Sequence, residues 1–181
     1  LGSEDGRVHF LALEGEEKVR KPAWTFTTVN AGGPNSAVSS SPAISGGKVF
    51  FGGEDGILYG LGSGAEVAVK NALPDAAYKP REFPGAKLKG HEWHMTGGDK
   101  GFSCVSPETK MKPPLKLKWR TRMWSSTKGP IIVAEGRAFR AGRLGELEAL
   151  DAATGEVIWR AHHLDAESRP SPTYADGKLL V

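Results

Sequence analysis

Few residues in this 181-residue chain have the types and spacing that chemistry needs. His91-Glu92-Trp93-His94 sets two imidazoles around a carboxylate, groups that ligate zinc or copper. On an extended strand, however, positions three apart point to opposite faces, so His91 and His94 cannot close on one ion. His162-His163 diverge for the same reason. Cys104 is the one cysteine, so an internal disulfide and any Cys-x-x-Cys metal or haem site are excluded from this stretch. No glycine-rich phosphate loop, nucleophile–base pair or paired-carboxylate site stands out. The residues therefore point to no catalytic group and no metal-ligand set.

What must position any site is read from composition and spacing. Twenty-four glycines, 12 prolines and five tryptophans indicate short strands and many turns rather than helices. The formal charge of +3 is mildly basic. Lys110, Lys112, Lys116, Lys118, Arg120 and Arg122 come closest to a basic run, but their alternation fits the solvent face of a strand, so no nucleic-acid partner is expected. No apolar run reaches the roughly 18 residues that span a membrane. Leu1 opens onto a turn and Val181 ends inside a strand pattern, which predicts a segment of a longer protein. The lack of a signal peptide here therefore does not exclude export.

A unit recurs along the chain. Turn glycines Gly6, Gly56, Gly101 and Gly145 each precede a strand pattern, at spacings of 50, 45 and 44 residues. A fixed period of this size marks a repeat architecture, and Asp-Gly between apolar runs marks a hairpin. Trp24, Trp119 and Trp159 follow Gly6, Gly101 and Gly145 by 18, 18 and 14 residues. The second unit shows no matching tryptophan and runs instead into Pro-containing residues 65–89, which read as an insertion. Ser41-Pro42, Gly129-Pro130 and Ser171-Pro172 open further strand pairs. Four short strands per period of about 45 residues is the arithmetic of a β-propeller blade, whose faces are buried by neighbouring blades. The expected fold is all-β, a partial β-propeller of four-stranded antiparallel blades. Its pieces are expected at 1–28, 38–90, 91–122, 125–162 and 170–181. Cys104 then falls where other units place His9, Tyr59 and Glu148, as a packed strand residue rather than a nucleophile.

Ala149-Leu150-Asp151-Ala152-Ala153-Thr154-Gly155-Glu156-Val157-Ile158-Trp159 resembles the tryptophan-docking motif of the pyrroloquinoline-quinone (PQQ)-like β-propeller repeat. Ser41-Pro42-Ala43 with Gly52-Gly53-Glu54-Asp55-Gly56 is similar to the first strands of that repeat. The motif is partial at Ser106-Pro107-Glu108-Thr109 with Trp119, and degraded at Leu61-Gly62-Ser63-Gly64. The resemblance implies that Trp24, Trp119 and Trp159 pack between blades while Asp151, Thr154 and Gly155 shape the turn. It also implies seven or eight blades in all, so that this chain holds about half a ring. The family includes quinoprotein dehydrogenases and non-catalytic outer-membrane assembly lipoproteins. The vicinal cysteines of many such dehydrogenases are absent here.

Propeller ligands usually sit where loops enter the innermost strands. Ser40 and Ser41, then Trp124, Ser125 and Ser126, then Arg169 hold equivalent positions before Pro42, Pro130 and Ser171. These polar groups could ring a channel mouth, or simply satisfy backbone at strand starts. The reading is a non-catalytic scaffold that binds another protein in the periplasm or elsewhere outside the cytoplasm, with no cofactor required. The alternative is a PQQ-dependent oxidoreductase whose quinone and calcium ligands lie mostly outside this segment.

Overall fold

The computed structural model describes residues 2–11, 22–28, 36–64, 92–98, 101, 103, 106–107, 111, 113–127, 129–162 and 171–181. The described residues form four antiparallel sheets. The first pairs β1 (Arg7–Leu11) with β2 (Pro22–Thr27). The second runs β3 (Ala43–Ser45), β4 (Lys48–Gly52), β5 (Ile57–Gly62) and β6 (Lys116–Arg122). The third runs β7 (Ile132–Ala134), β8 (Arg137–Ala141), β9 (Glu146–Asp151) and β10 (Val157–His162). The fourth pairs β11 (Thr173–Ala175) with β12 (Lys178–Leu180). The chain is all-β and forms part of a β-propeller.

Local chemistry sets the hairpins. Gly6, Gly56 and Gly145 all take left-handed φ values, 78°, 72° and 83°, which cost an L-residue with a side chain. Each closes the same turn. Gly6, Gly56 and Gly145 N–H donate to Ser3, Gly53 and Gly142 carbonyls at 3.2, 3.2 and 3.3 Å. Ser3, Gly53 and Gly142 N–H donate in turn to Arg7, Ile57 and Glu146 at 2.9, 2.9 and 2.8 Å.

Strand alternation then sorts side chains to the two faces of each sheet. Phe50 and Leu58 face the third sheet and join Ile131, Val133, Ala138 and Leu150. Val49, Phe51, Tyr59 and Leu61 face the first sheet and meet Val8, Phe10, Trp24 and Phe26. On the far face of the third sheet, Ile132, Phe139, Ala149 and Ile158 meet Tyr174. The core is therefore a series of layers between stacked sheets.

One grouping needs correction. β6, expected inside a unit at 91–122, pairs instead with β5, in the register Gly60↔Trp119 and Ile57↔Arg122. The second sheet thus takes its fourth strand from beyond a long connection, and Trp119 is the tryptophan of that sheet. From Gly56 to Gly145 is 89 residues, so the connection added about one period and imitated a further repeat. Gly101 is described as a turn residue. Gly97 and Gly98 sit in a turn closed by Gly98 N–H to Met95 O at 2.9 Å. Most of the strand expected at 102–105, Cys104 included, lies outside the described residues, as do 65–91.

Candidate functional site

The third sheet carries a charged ladder where the second carries aromatic rings. Arg140, Glu148 and Arg160 stand opposite one another across β8, β9 and β10. The matching places on β4 and β5 are Phe51 and Tyr59, stacked at 5.1 Å between centroids. Arg140 and Glu148 side chains are both 0% exposed. The Arg140 guanidinium donates from Nε to Glu148 Oε2 at 2.7 Å and from Nη2 to Glu146 Oε1 at 3.0 Å. Arg160 Nε reaches the other Glu148 oxygen at 2.6 Å. Two guanidiniums and two carboxylates leave the cluster formally neutral.

The remaining arm of Arg140 does something the aromatic pair does not. Its Nη1 donates to Ser125 O at 2.9 Å, Ser126 O at 3.4 Å and Thr127 Oγ1 at 2.8 Å. The Ser125 hydroxyl donates to Glu146 and accepts from Arg143 N–H at 3.2 Å. Glu146 Oε2 also accepts Leu144 N–H at 3.0 Å. The segment entering β7 and the turn between β8 and β9 are thus tied together. Trp124 leads that segment and stays 47% exposed, with Arg160 Cζ 5.8 Å from its ring centroid, a cation–π distance. Leu144, 57% exposed, projects from the tied turn beside Arg143. The surface is an aromatic ring and an aliphatic side chain beside exposed Arg143, held by a buried network that includes Arg160.

A second cluster joins the sheets. Trp119, 1% exposed, lies between Gly60 of its own sheet and Gly155 of the next. A Cβ at either glycine would stand 2.5 Å from the indole. Trp119 Nε1 donates to Ala152 O at 3.3 Å, and Thr121 Oγ1 donates to Gly155 O at 2.6 Å. The receiving turn is built by Asp151, whose Oδ1 accepts Ala153 and Thr154 N–H at 2.7 and 3.1 Å. Thr154 Oγ1 accepts Glu156 N–H at 3.3 Å, and Gly155 has φ 73°. Trp24, opposite Phe10, and Trp159, opposite Ala149, occupy the register that Trp119 holds opposite Gly60. Both are half-buried, Trp24 packing toward the second sheet and Trp159 toward the fourth.

The other expected residues scatter. Ser40 is buried and satisfies backbone, donating to Gly52 O at 3.0 Å and accepting Gly52 N–H at 2.7 Å. Ser41 is exposed, its carbonyl accepting Ile131 N–H at 3.4 Å. Trp124, Ser125 and Ser126 come together as described, and Arg169 lies outside the described residues. Glu92 and His94 pair with each other, Oε2 to Nε2 at 2.9 Å. Among the described residues, no three His, Cys, Asp or Glu side chains are grouped to hold a metal ion. The Arg140–Glu148–Arg160 ladder escaped the sequence reading, although the Gly142–Gly145 turn already places Arg140 opposite Glu148. Opposite charges at matched distances from a known turn were the available signal.

Comparison with known proteins agrees with this architecture. The family of the outer membrane protein assembly factor BamB matches residues 110–181. Over 63 residues the chain is 40% identical to polyvinylalcohol dehydrogenase of Sphingopyxis sp. (strain 113P3), covering 35% of this chain and 10% of that protein. The crystal structure of BamB from Moraxella catarrhalis is similar with a TM-score of 0.53. That match covers 95% of this chain and 37% of BamB at 14% identity, a likeness of fold. The chain thus spans about a tenth of the first relative and little more than a third of the second.

Proposed function

We propose that this stretch of a PQQ-like β-propeller serves as a protein-binding module of the cell envelope, presenting Trp124, Leu144 and Arg143 to a partner. One observation carries the reading: a buried, fully bonded Arg140 fixes the segment from which a half-exposed tryptophan projects. Burying four charges costs several kcal/mol per ion before their mutual attraction repays it. The second sheet fills matching places with Phe51 and Tyr59, so charge is not required to hold such a sheet together. What the charges add is a rigid Ser125–Thr127 segment. Tryptophan and arginine dominate binding energy at protein interfaces when pre-set in this way. An envelope location rests on the match to a family described as an outer membrane assembly factor. No helix among the described residues is long and apolar enough to cross a membrane.

The test is photo-crosslinking in cells, with a crosslinking amino acid replacing Leu144 in the complete protein. The expected result is a discrete adduct with one protein that disappears when Trp124 is replaced by alanine. Adducts no different from those formed at Lys178, an exposed residue of β12, would sink the reading. A second reading, a PQQ-dependent oxidoreductase, is favoured by the match to polyvinylalcohol dehydrogenase. Its test is titration of the complete protein with PQQ and calcium, followed by tryptophan emission. Saturable quenching would support it, and its absence would count against it.

A further inference from the structure

β3, β7 and β11 are the first strands of successive sheets, and β7 lies against both of the others. Such first strands surround a propeller's axis, each with one edge paired and one turned inward. Backbone groups on an inward edge must find water or another partner. In the third and fourth sheets the chain supplies the partner itself. Trp93 N–H donates to Val133 O at 2.8 Å, and Val133 N–H donates to Trp93 O at 2.7 Å. The next carbonyl, His94 O, accepts Tyr174 N–H at 2.9 Å. Val133 and Tyr174 are the middle residues of β7 and β11. Two consecutive residues from the β5–β6 connection therefore serve equivalent positions of two adjacent sheets.

The segment is anchored by its side chains as well. Trp93 is 4% exposed and joins the layer between the second and third sheets. Gly98 backs its ring so closely that a Cβ would stand 2.9 Å from the indole carbons. Glu92 Oε1 accepts the N–H of Glu135 at 2.8 Å, at the turn between β7 and β8. The His94 ring meets Tyr174 edge-on, with centroids 6.4 Å apart.

We propose that Glu92–Gly98 is a built-in strand plug that occupies the axial edges of the third and fourth sheets and excludes a planar ligand there. A quinone seated against these edges would compete with Trp93 and His94 for the same backbone groups, so PQQ does not fit at this place. The inference does not depend on what Trp124 binds.

Hydrogen–deuterium exchange on the complete protein, with and without PQQ plus calcium, tests it. The Val133 and Tyr174 amides should exchange slowly, and PQQ with calcium should leave them unchanged. A Trp93→Gly variant should speed both by ~10-fold or more while the β9 amides stay protected. Wild-type Val133 and Tyr174 amides exchanging at unfolded-chain rates would overturn the plug. Added protection of those amides by PQQ with calcium would overturn the exclusion. If the variant does not fold, the wild-type rates decide alone.

Discussion

Gly155 and Gly177 share a left-handed backbone, with φ 73° and 72°, yet meet different surroundings. A Cβ at Gly155 would overlap the Trp119 ring at 2.5 Å, whereas nothing lies within 4 Å of one at Gly177. Gly177→Ala should cost about 1–2 kcal/mol, the strain of a side chain in that conformation. Gly155→Ala should cost about 1–3 kcal/mol more, the range for overpacking. Urea unfolding of the complete protein compares them, and equal losses would refute the close contact. The phenols of Tyr59 and Tyr174 are both pushed above the ordinary tyrosine range. Burial is the larger cause in each, aided by Asp55 beside Tyr59 and Glu135 beside Tyr174. Such a phenol keeps its proton longer when folded, so the unfolded chain ionises first. Stability that is whole below about pH 10 should therefore fall as pH rises further. Denaturation midpoints flat from pH 9 to 11 would contradict this.

At the scale of the element, the two complete sheets show one backbone plan filled in two ways. In the second, Phe51 and Tyr59 stack and the Tyr59 hydroxyl donates to Asp55 Oδ2 at 2.8 Å. In the third, the matching Arg140 and Glu148 form a ladder with Arg160 that also grips the Ser125–Thr127 segment. Removing one member leaves buried charge without its partner. Glu148→Ala should accordingly destabilise by about 3–5 kcal/mol. Replacing both Arg140 and Glu148 by methionine removes that pair together while Glu146 and Arg160 stay buried, and should cost less than the sum of the two single replacements. A double variant as unstable as the sum of its singles would show that no such coupling exists. The double variant should also free Trp124, seen as stronger acrylamide quenching of its emission.

For the molecule as a whole, stability resides in layers between sheets rather than within any one sheet. β4, β5, β8 and β9 have strands on both sides and largely buried residues on both faces. β2 and β12 are paired on one side and have no fully buried residue. Amides of β8 and β9 should exchange last and those of β12 early, because local opening follows burial. Equal protection across these strands would argue against layered stacking. The Trp119–Gly155 contact links neighbouring sheets. Trp119→Ala should therefore cost about 3–5 kcal/mol, the usual loss for a fully buried aromatic, by the same urea measurement.

Much of this organisation was legible in the residues because it depends on local chemistry. Glycines at left-handed turns, Asp151 and Thr154 oxygens beside free backbone N–H groups, and alternating apolar side chains act within a few positions. They sufficed to define four-stranded antiparallel units and the Asp151–Gly155 turn. Strand partnership across a long connection is different, since closing a longer loop adds only a small, slowly growing entropy cost. Nothing near Trp119 in sequence says that it belongs to Gly60 rather than to the Gly101 turn; only the fit of its indole between two glycines decides that. The Arg140 ladder and the seating of Trp93 on Val133 likewise arise from edges and faces that exist only once sheets stack around an axis. Local geometry thus set the units, and the tertiary structure decided which strands complete them and what fills the space between.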